Sequence, residues 1–160
     1  MAEAQFWRKV ATFIRRAPWV ANAARMIWRI PQAKFTAGVV GVVFNDLNQV
    51  LLVEHVFHPY HPWGLPGGWV DRREDPSLTI QREMMEELEL QVEVGSLLLA
   101  RMDDSNHLDL AYRCHMMNGS IGNLSNELLE YRWVSLADLP CLHNFHYQAI
   151  HQALAIRTEQ

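Results

Sequence analysis

The stretch from Asp75 to Leu88 limits what this chain can fold into more than any other. Asp75-Pro76 reads as an N-cap followed by a proline in the first helical turn, where a missing N–H costs nothing. The helix it opens is expected to run to about Leu88. Along it, Glu83, Glu86 and Glu87 stand at i, i+3 and i+4 and so share one face. Like charges at those spacings destabilise an isolated helix, and a folded protein keeps them when something positive sits on the cluster. Carboxylate oxygens are hard ligands that favour Mg²⁺, Mn²⁺ or Ca²⁺ over soft metals. Arg82 adjoins the cluster, but one guanidinium cannot neutralise three carboxylates. Taken alone, the same run reads more readily as a solvated acidic face, with Met84 and Met85 as packing residues.

Around this helix the hydrophobic pattern alternates as strands do. Residues 36–44 read as a buried strand and 49–56 as a second, joined by the polar turn Asn45–Asn48 into a hairpin. Residues 57–68 are a loop punctuated by Pro and Gly. Strand-like runs follow at 92–102, 107–117 and 129–134. The second of these sets Leu108, Leu110, Tyr112, Cys114 and Met116 on one face and Asp109, Arg113 and His115 on the other. Residues 144–157 close the chain as a helix with Ala149, Ala153 and Ile156 spaced to face inward. Strands with a helix between them and another at the end imply a layered α/β sandwich.

The residues flanking the three glutamates change their meaning. Gly67-Gly68 precedes the helix, Glu74 follows Gly68 by six residues, and Arg82-Glu83 follow Glu74 at eight. This segment resembles the Nudix box, G-x5-E-x7-R-E-U-x-E-E-x-G-U, where U is a bulky apolar residue. Gly68, Glu74, Arg82, Glu83, Met84, Glu86, Glu87 and Leu90 all fall in register, and Leu65-Pro66-Gly67-Gly68 resembles the usual lead-in. The resemblance implies a Nudix fold over residues 35–160, an α/β/α sandwich with a central mixed β-sheet. It also implies substitution at phosphorus by water, on a nucleoside diphosphate linked to another moiety such as a sugar or an ADP-ribose-like group. On that reading Glu83, Glu86 and Glu87 hold Mg²⁺ or Mn²⁺, Glu74 assists through a water or by holding the helix, and Arg82 orients a carboxylate. Glu127, from a later loop, is the candidate to complete the catalytic set, with a solvated loop residue as the plainer reading. Gly67, Gly68, Trp69 and His61 are the candidates for substrate contact. Two positions depart from the pattern. Glu89 stands where the box has Gly, and a side chain in a left-handed helix cap costs about 1–2 kcal/mol. Arg73 stands where many relatives also have Gly.

The charge is divided along the chain. Residues 1–34 carry seven basic residues against Glu3 alone, a net of +6, and the remainder must therefore carry −10 to reach the total of −4. An acidic body suits held cations and is poorly matched to a nucleic-acid backbone. Residues 4–17 have the spacing of an amphipathic helix ended or kinked by Pro18, and a second basic-aromatic stretch, 20–30, stops at Pro31. This leader reads as a docking helix or dimer contact, with peripheral contact to anionic lipid as the alternative. No apolar run is long enough to cross a membrane, the leader lacks the order of a signal peptide, and Cys114 and Cys141 have no metal-ligand spacing. The expectation is a reduced, cytoplasmic enzyme. The rivals are a sanitising pyrophosphohydrolase of (d)NTPs, a nucleotide-binding module without turnover, and a membrane-associated scaffold. His55, His58 and His61 shape the pocket mouth or merely a polar loop. Tyr60, Trp63 and Trp69 either stack on a base or anchor the fold. Asp104–His107, beyond the box, carries neither the proline nor the tyrosine associated with two of the family's subfamilies, so the subfamily stays open.

Overall fold

The structure, a computed structural model, describes residues 2–28, 34–117 and 119–158. The chain divides into two compact units, residues 1–34 and 35–160. The first contains helices α1 (Ala2–Arg16) and α2 (Pro18–Trp28). Pro18 does not only end one helix. It opens the next, at the position where its fixed φ and missing donor are best tolerated. Ala17 joins the two, its N–H donating to the Phe13 carbonyl at 3.0 Å. The stop expected at Pro31 lies outside the described residues.

The second unit runs β1 (Thr36–Val43), β2 (Val50–His55), β3 (Trp63–Gly64), β4 (Gly67–Trp69), α3 (Pro76–Leu88), β5 (Val92–Met102), β6 (His107–Met116), β7 (Leu128–Val134) and α4 (Asn144–Thr158). Two sheets form, with strand orders β4-β1-β6-β5 and β3-β2-β7. The β1–β6 pair is parallel and the other pairs are antiparallel, so the first sheet is mixed.

The expected β1–β2 hairpin is corrected. Only a single bridge, Phe44 to Val50, links the two strands across the turn. The reason is that both edges of β1 are occupied, one by β6 over its whole length and the other by β4. β2 therefore leaves for the second sheet. The loop expected over residues 57–68 also holds β3 and the start of β4, short pairings that local pattern does not reveal.

Alternation along the strands divides the core in two. Val39 and Val43 of β1 and Leu51 and Val53 of β2 face α3, meeting Ile80, Met84 and Leu88. Val42, Val50 and Leu52 face α4, meeting Phe145, Ala149, Ile150 and Ala153. The result is the expected α/β/α sandwich. Gly41 sets the depth of the α3 contact, since a Cβ there would run into the Met84 methyl and approach the Cys114 Sγ to 3.1 Å. Cys114 is buried, and burial pushes its thiol up to about 12, which makes it a packing residue. Truncating a fully buried side chain of α3 such as Leu88 to Ala costs about 2–5 kcal/mol. That rigid seat keeps the acidic face of α3 turned toward β4.

Candidate functional site

The site is built where β4 meets α3. Asp75 caps the helix from an extended backbone, its carboxylate accepting from the Ser77 N–H at 2.9 Å. β4 lies against β1 with Gly68 opposite Val39. Gly67 has φ +153, and a Cβ there would strike the Val39 carbonyl. A Cβ at Gly68 would collide with the Glu83 carboxylate. Gly68 thus lets a bare backbone lie directly on the acidic helix face, and Gly67 lets the same strand lie close against β1. From there the Gly67 N–H donates to the Glu87 carboxylate.

Arg82 organises the carboxylates nearest the helix start. Its Nε and Nη2 grip Glu74 with two bonds of 3.0 Å, a fork geometry that only a guanidinium supplies. Its Nη1 reaches Glu83 at 2.9 Å and Glu86 at 3.1 Å, and Nη2 also donates to the Trp69 carbonyl at 3.3 Å. Thr79 adds a 2.8 Å bond to Glu74, and the Arg82 and Thr79 bonds together hold the Glu74 carboxyl down at about 2. Both Glu74 oxygens are therefore engaged within the protein, and this residue ties the loop to the helix.

Glu87 stands in the opposite condition. It is 6% exposed, and its Oε2 has no hydrogen-bond partner. Burial, with the charges of Glu83 and Glu127 next in weight, pushes its carboxyl from 4.5 up to about 8. Burial raises Glu83 as well, against the pull of Arg82. Glu127 is felt by both residues, so the later loop does bring its charge to this face. The loop is fixed there by the Ser125 N–H, which donates to the Glu87 carbonyl at 2.9 Å, and by the Val56 N–H, which donates to the Glu127 carbonyl at 3.0 Å. A buried carboxylate oxygen without a partner, facing further carboxylates, fits a hard divalent cation. Among the described residues no three His, Cys, Asp or Glu side chains converge on one cation-sized point, and the Arg82 guanidinium lies on Glu83 and Glu86.

The helix ends as the box pattern would have it, without the glycine. Glu89 takes the left-handed conformation, φ 49 and ψ 33. Its carboxylate accepts from the Asn123 backbone and side chain at 3.2 Å each, while Gly122 and Ser125 N–H groups cap the Leu88 and Glu87 carbonyls. The side chain that strains the cap thus also anchors the loop leading to Glu127. Arg73 likewise holds a positive φ, 69.

Across β4 from the glutamates lies a cavity of about 230 Å³. Val39, Val40 and Leu65 form its apolar lining, and Trp69, His107, Asp109, His55, His58 and His146 supply the rest. The Trp69 and His107 rings lie 4.6 Å apart. Thr36 Oγ1 at 2.7 Å and Asp109 at 3.4 Å hold the imidazole in place. Burial lowers both His55 and His146 to about 4, so their rings are neutral near pH 7. The Leu65 N–H donates to His146 Nδ1 at 3.1 Å.

Of the four substrate-contact candidates, Gly67, Gly68 and Trp69 line this cavity and His61 does not. His61 faces an adjoining groove of about 310 Å³ with Tyr60 and His143, His58 and His146 lying between the two, and its Nδ1 is 3.9 Å from the Cys141 Sγ. Trp63 packs under the Arg132 guanidinium, 4.5 Å from the ring centre, as an anchor. Sequence reasoning missed His107 and Asp109 at the start of β6 and His146 on α4 as site residues. A usable signal existed for one of them, because Asp109 is an acid on the polar face of β6, whose other face packs into the core.

The chain matches known proteins in the same region. The family described as NUDIX domain matches residues 34–153. A Xenopus laevis protein, nucleoside diphosphate-linked moiety X motif 6, is 31% identical over 121 residues, which cover 70% of this chain and 55% of that protein. The chain thus spans about half the length of that curated relative. Among solved structures, a MutT NUDIX hydrolase from Burkholderia pseudomallei superposes with a TM-score of 0.65 at 26% identity, over 75% of this chain and 98% of the other. An ADP-ribose pyrophosphatase from Streptococcus suis superposes at 0.62 and 23% identity, over 79% and 93%, a likeness of fold.

Proposed function

Because the chain belongs to the NUDIX domain family, we propose that it is a divalent-cation-dependent hydrolase of a phosphoanhydride bond in a nucleoside diphosphate linked to another moiety. The observation that carries this reading is Glu87, an acid buried with an unpartnered oxygen among Glu83, Glu86 and Glu127. Glu83, Glu86 and Glu87 would hold Mg²⁺ or Mn²⁺. Such a cation, when bound, neutralises the diphosphate and lowers the pKa of a water.

The remaining work falls to the chain. Arg82 fixes Glu83 and Glu86 in rotamer, and Glu74 fixes Arg82. Gly68 leaves the backbone bare where it meets the Glu83 carboxylate, and Gly67 lets β4 lie close against β1, so the strand holds Glu83 at the site. Glu127 would take a proton, a role supported by its charge acting on Glu83 and Glu87 from the later loop. The moiety beyond the phosphates enters the cavity, where Trp69 offers a ring face and Asp109 an acceptor for an N–H or O–H group. Among the described residues no lysine or arginine lines that cavity, which suits an uncharged group better than another phosphate. The names of the Xenopus and Streptococcus relatives, a nucleoside diphosphate-linked moiety and ADP-ribose, support the same substrate class.

The test is a hydrolysis panel with Mg²⁺ and with Mn²⁺. ADP-ribose, nucleotide sugars, CDP-alcohols, dinucleoside polyphosphates and NTPs are offered, and products are resolved by ³¹P NMR. Cleavage of a nucleoside diphosphate conjugate is expected. Preference for NTPs would favour the sanitising alternative, and tight binding without turnover would favour a binding module.

A further inference from the structure

We propose that residues 2–28 form a docking surface for an anionic lipid bilayer, on which α1 and α2 lie flat. In α1 the apolar side chains Phe6, Trp7, Val10, Phe13 and Ile14 fall within an arc of about 120°, and Arg8, Lys9, Thr12, Arg15 and Arg16 occupy the opposite side. α2 is apolar around most of its circumference, with Asn22 and Arg25 as its polar stripe. These apolar groups are open to solvent. Trp7, Trp19 and Trp28 are 61%, 71% and 73% exposed, and Phe6, Phe13, Met26 and Ile27 are exposed with them. No described helix is long and apolar enough to cross a membrane, so the geometry is that of a helix lying in the interface.

Two observations identify the partner. The leader concentrates tryptophan and cationic side chains, the pair of residue types that suits the boundary between headgroups and acyl chains. α1 also carries a groove of about 360 Å³ lined by Arg8, Lys9, Thr12, Phe13 and Arg16. Arg8, Lys9 and Arg16 lie on the polar side of α1, where cations at headgroup level attract anionic lipid phosphates once the apolar arc is seated. A nucleic acid would answer the cations, but it would leave exposed Met26, Ile27 and Phe6 without an apolar partner. A net charge of +6 on the leader and −10 on the rest sets the leader as the side that approaches an anionic surface.

The experiment is cosedimentation of the full chain with phosphatidylcholine vesicles, with and without phosphatidylserine. Binding is expected only with phosphatidylserine and should weaken as salt rises. Arg8→Gln with Arg16→Gln should weaken it roughly 25-fold, about fivefold for each cation removed. Trp7→Ser with Phe13→Ser should abolish it although every charge remains. As a check that requires no variant of the apolar face, brominated lipid should quench tryptophan emission of the wild-type chain. Replacing Trp7, Trp19 and Trp28 by Phe should keep the binding and remove the quenching. Absence of vesicle binding, binding unchanged by the arginine or the aromatic pair, duplex DNA bound as tightly at the same salt, or a dimer that no longer sediments with vesicles would each overturn the proposal. None of these readouts depends on turnover, so the hydrolase reading stands or falls separately.

Discussion

Replacing Glu87 with Gln should make the cation-free protein more stable while removing its function. In the folded chain the Glu87 carboxyl is held near 8, against an ordinary 4.5. Between those values the folded state keeps a proton that the unfolded state has released, so stability falls as pH rises through the window. Below 4.5 there is no penalty, and above about 8 it is complete. At pH 7 the penalty amounts to about 3 kcal/mol, at about 1.4 kcal/mol for each pH unit above 4.5. Glutamine is neutral at every pH and keeps a carbonyl for the Gly67 N–H, so the variant escapes this cost. For a chain of this size about 3 kcal/mol corresponds to roughly 6–12 °C in Tm. The assay is thermal unfolding of both proteins in chelator at pH 5, 7 and 8, followed by Mg²⁺ titration. The gap between variant and wild type should widen from pH 5 to pH 8. Mg²⁺ should stabilise the wild type by about 2.7 kcal/mol at a hundredfold excess over Kd, raising its Tm, and leave the variant nearly unmoved. A variant that melts at or below wild type in chelator, with no dependence on pH, would refute the reasoning. It would mean that the unpartnered oxygen carries no electrostatic cost.

Three further outcomes follow from the same geometry. Gly68→Ala drives a methyl into the Glu83 carboxylate and should cut kcat by roughly 10–100-fold with a small change in Tm, measured on the substrate the panel identifies. Arg82→Lys keeps the charge but loses the fork on Glu74 and cannot reach Glu83 and Glu86 together, so it should lose activity as Arg82→Gln does, and rescue by lysine would contradict the positioning role. His55 and His146 are buried neutral near 4 against an ordinary 6.5, so the unfolded state binds their protons first and stability should fall as pH drops from 6.5 toward 4. Glu87 opposes that slope above 4.5, so chemical denaturation of the Glu87→Gln variant should show the acid loss more steeply than wild type. A flat profile there would contradict the burial of the two imidazoles.

How far the sequence could be read depended on whether the information was local. The start and the acidic face of α3 were legible, because Asp75-Pro76 states the one and the Glu spacing the other. Glu89 was legible as a conflict and not as a solution. Its strained cap is answered by Asn123, thirty-four residues away, and no spacing rule links the two. The failed hairpin has the same origin. Whether β1 pairs with β2 depends on β4 and β6 claiming its edges first, and those strands are short or distant. His61 lies close to Gly67 in sequence, but the chain turns at Trp63 and Gly64 to pair with β2 and carries it to the adjoining groove. His107 and His146 reach the cavity by the parallel β1–β6 pairing and by the packing of α4, which a single chain's pattern does not encode, whereas the polar-face position of Asp109 could be read.

The most direct measurement of the central claim compares the wild-type chain with Glu86→Gln and Glu87→Gln on one confirmed substrate, in Mg²⁺ or Mn²⁺ and in chelator. The account predicts turnover that requires the cation and falls by roughly 100-fold or more in each variant, with the fold intact and Glu87→Gln more heat-stable in chelator. Turnover that is unchanged in both variants, or that persists in chelator, would contradict it.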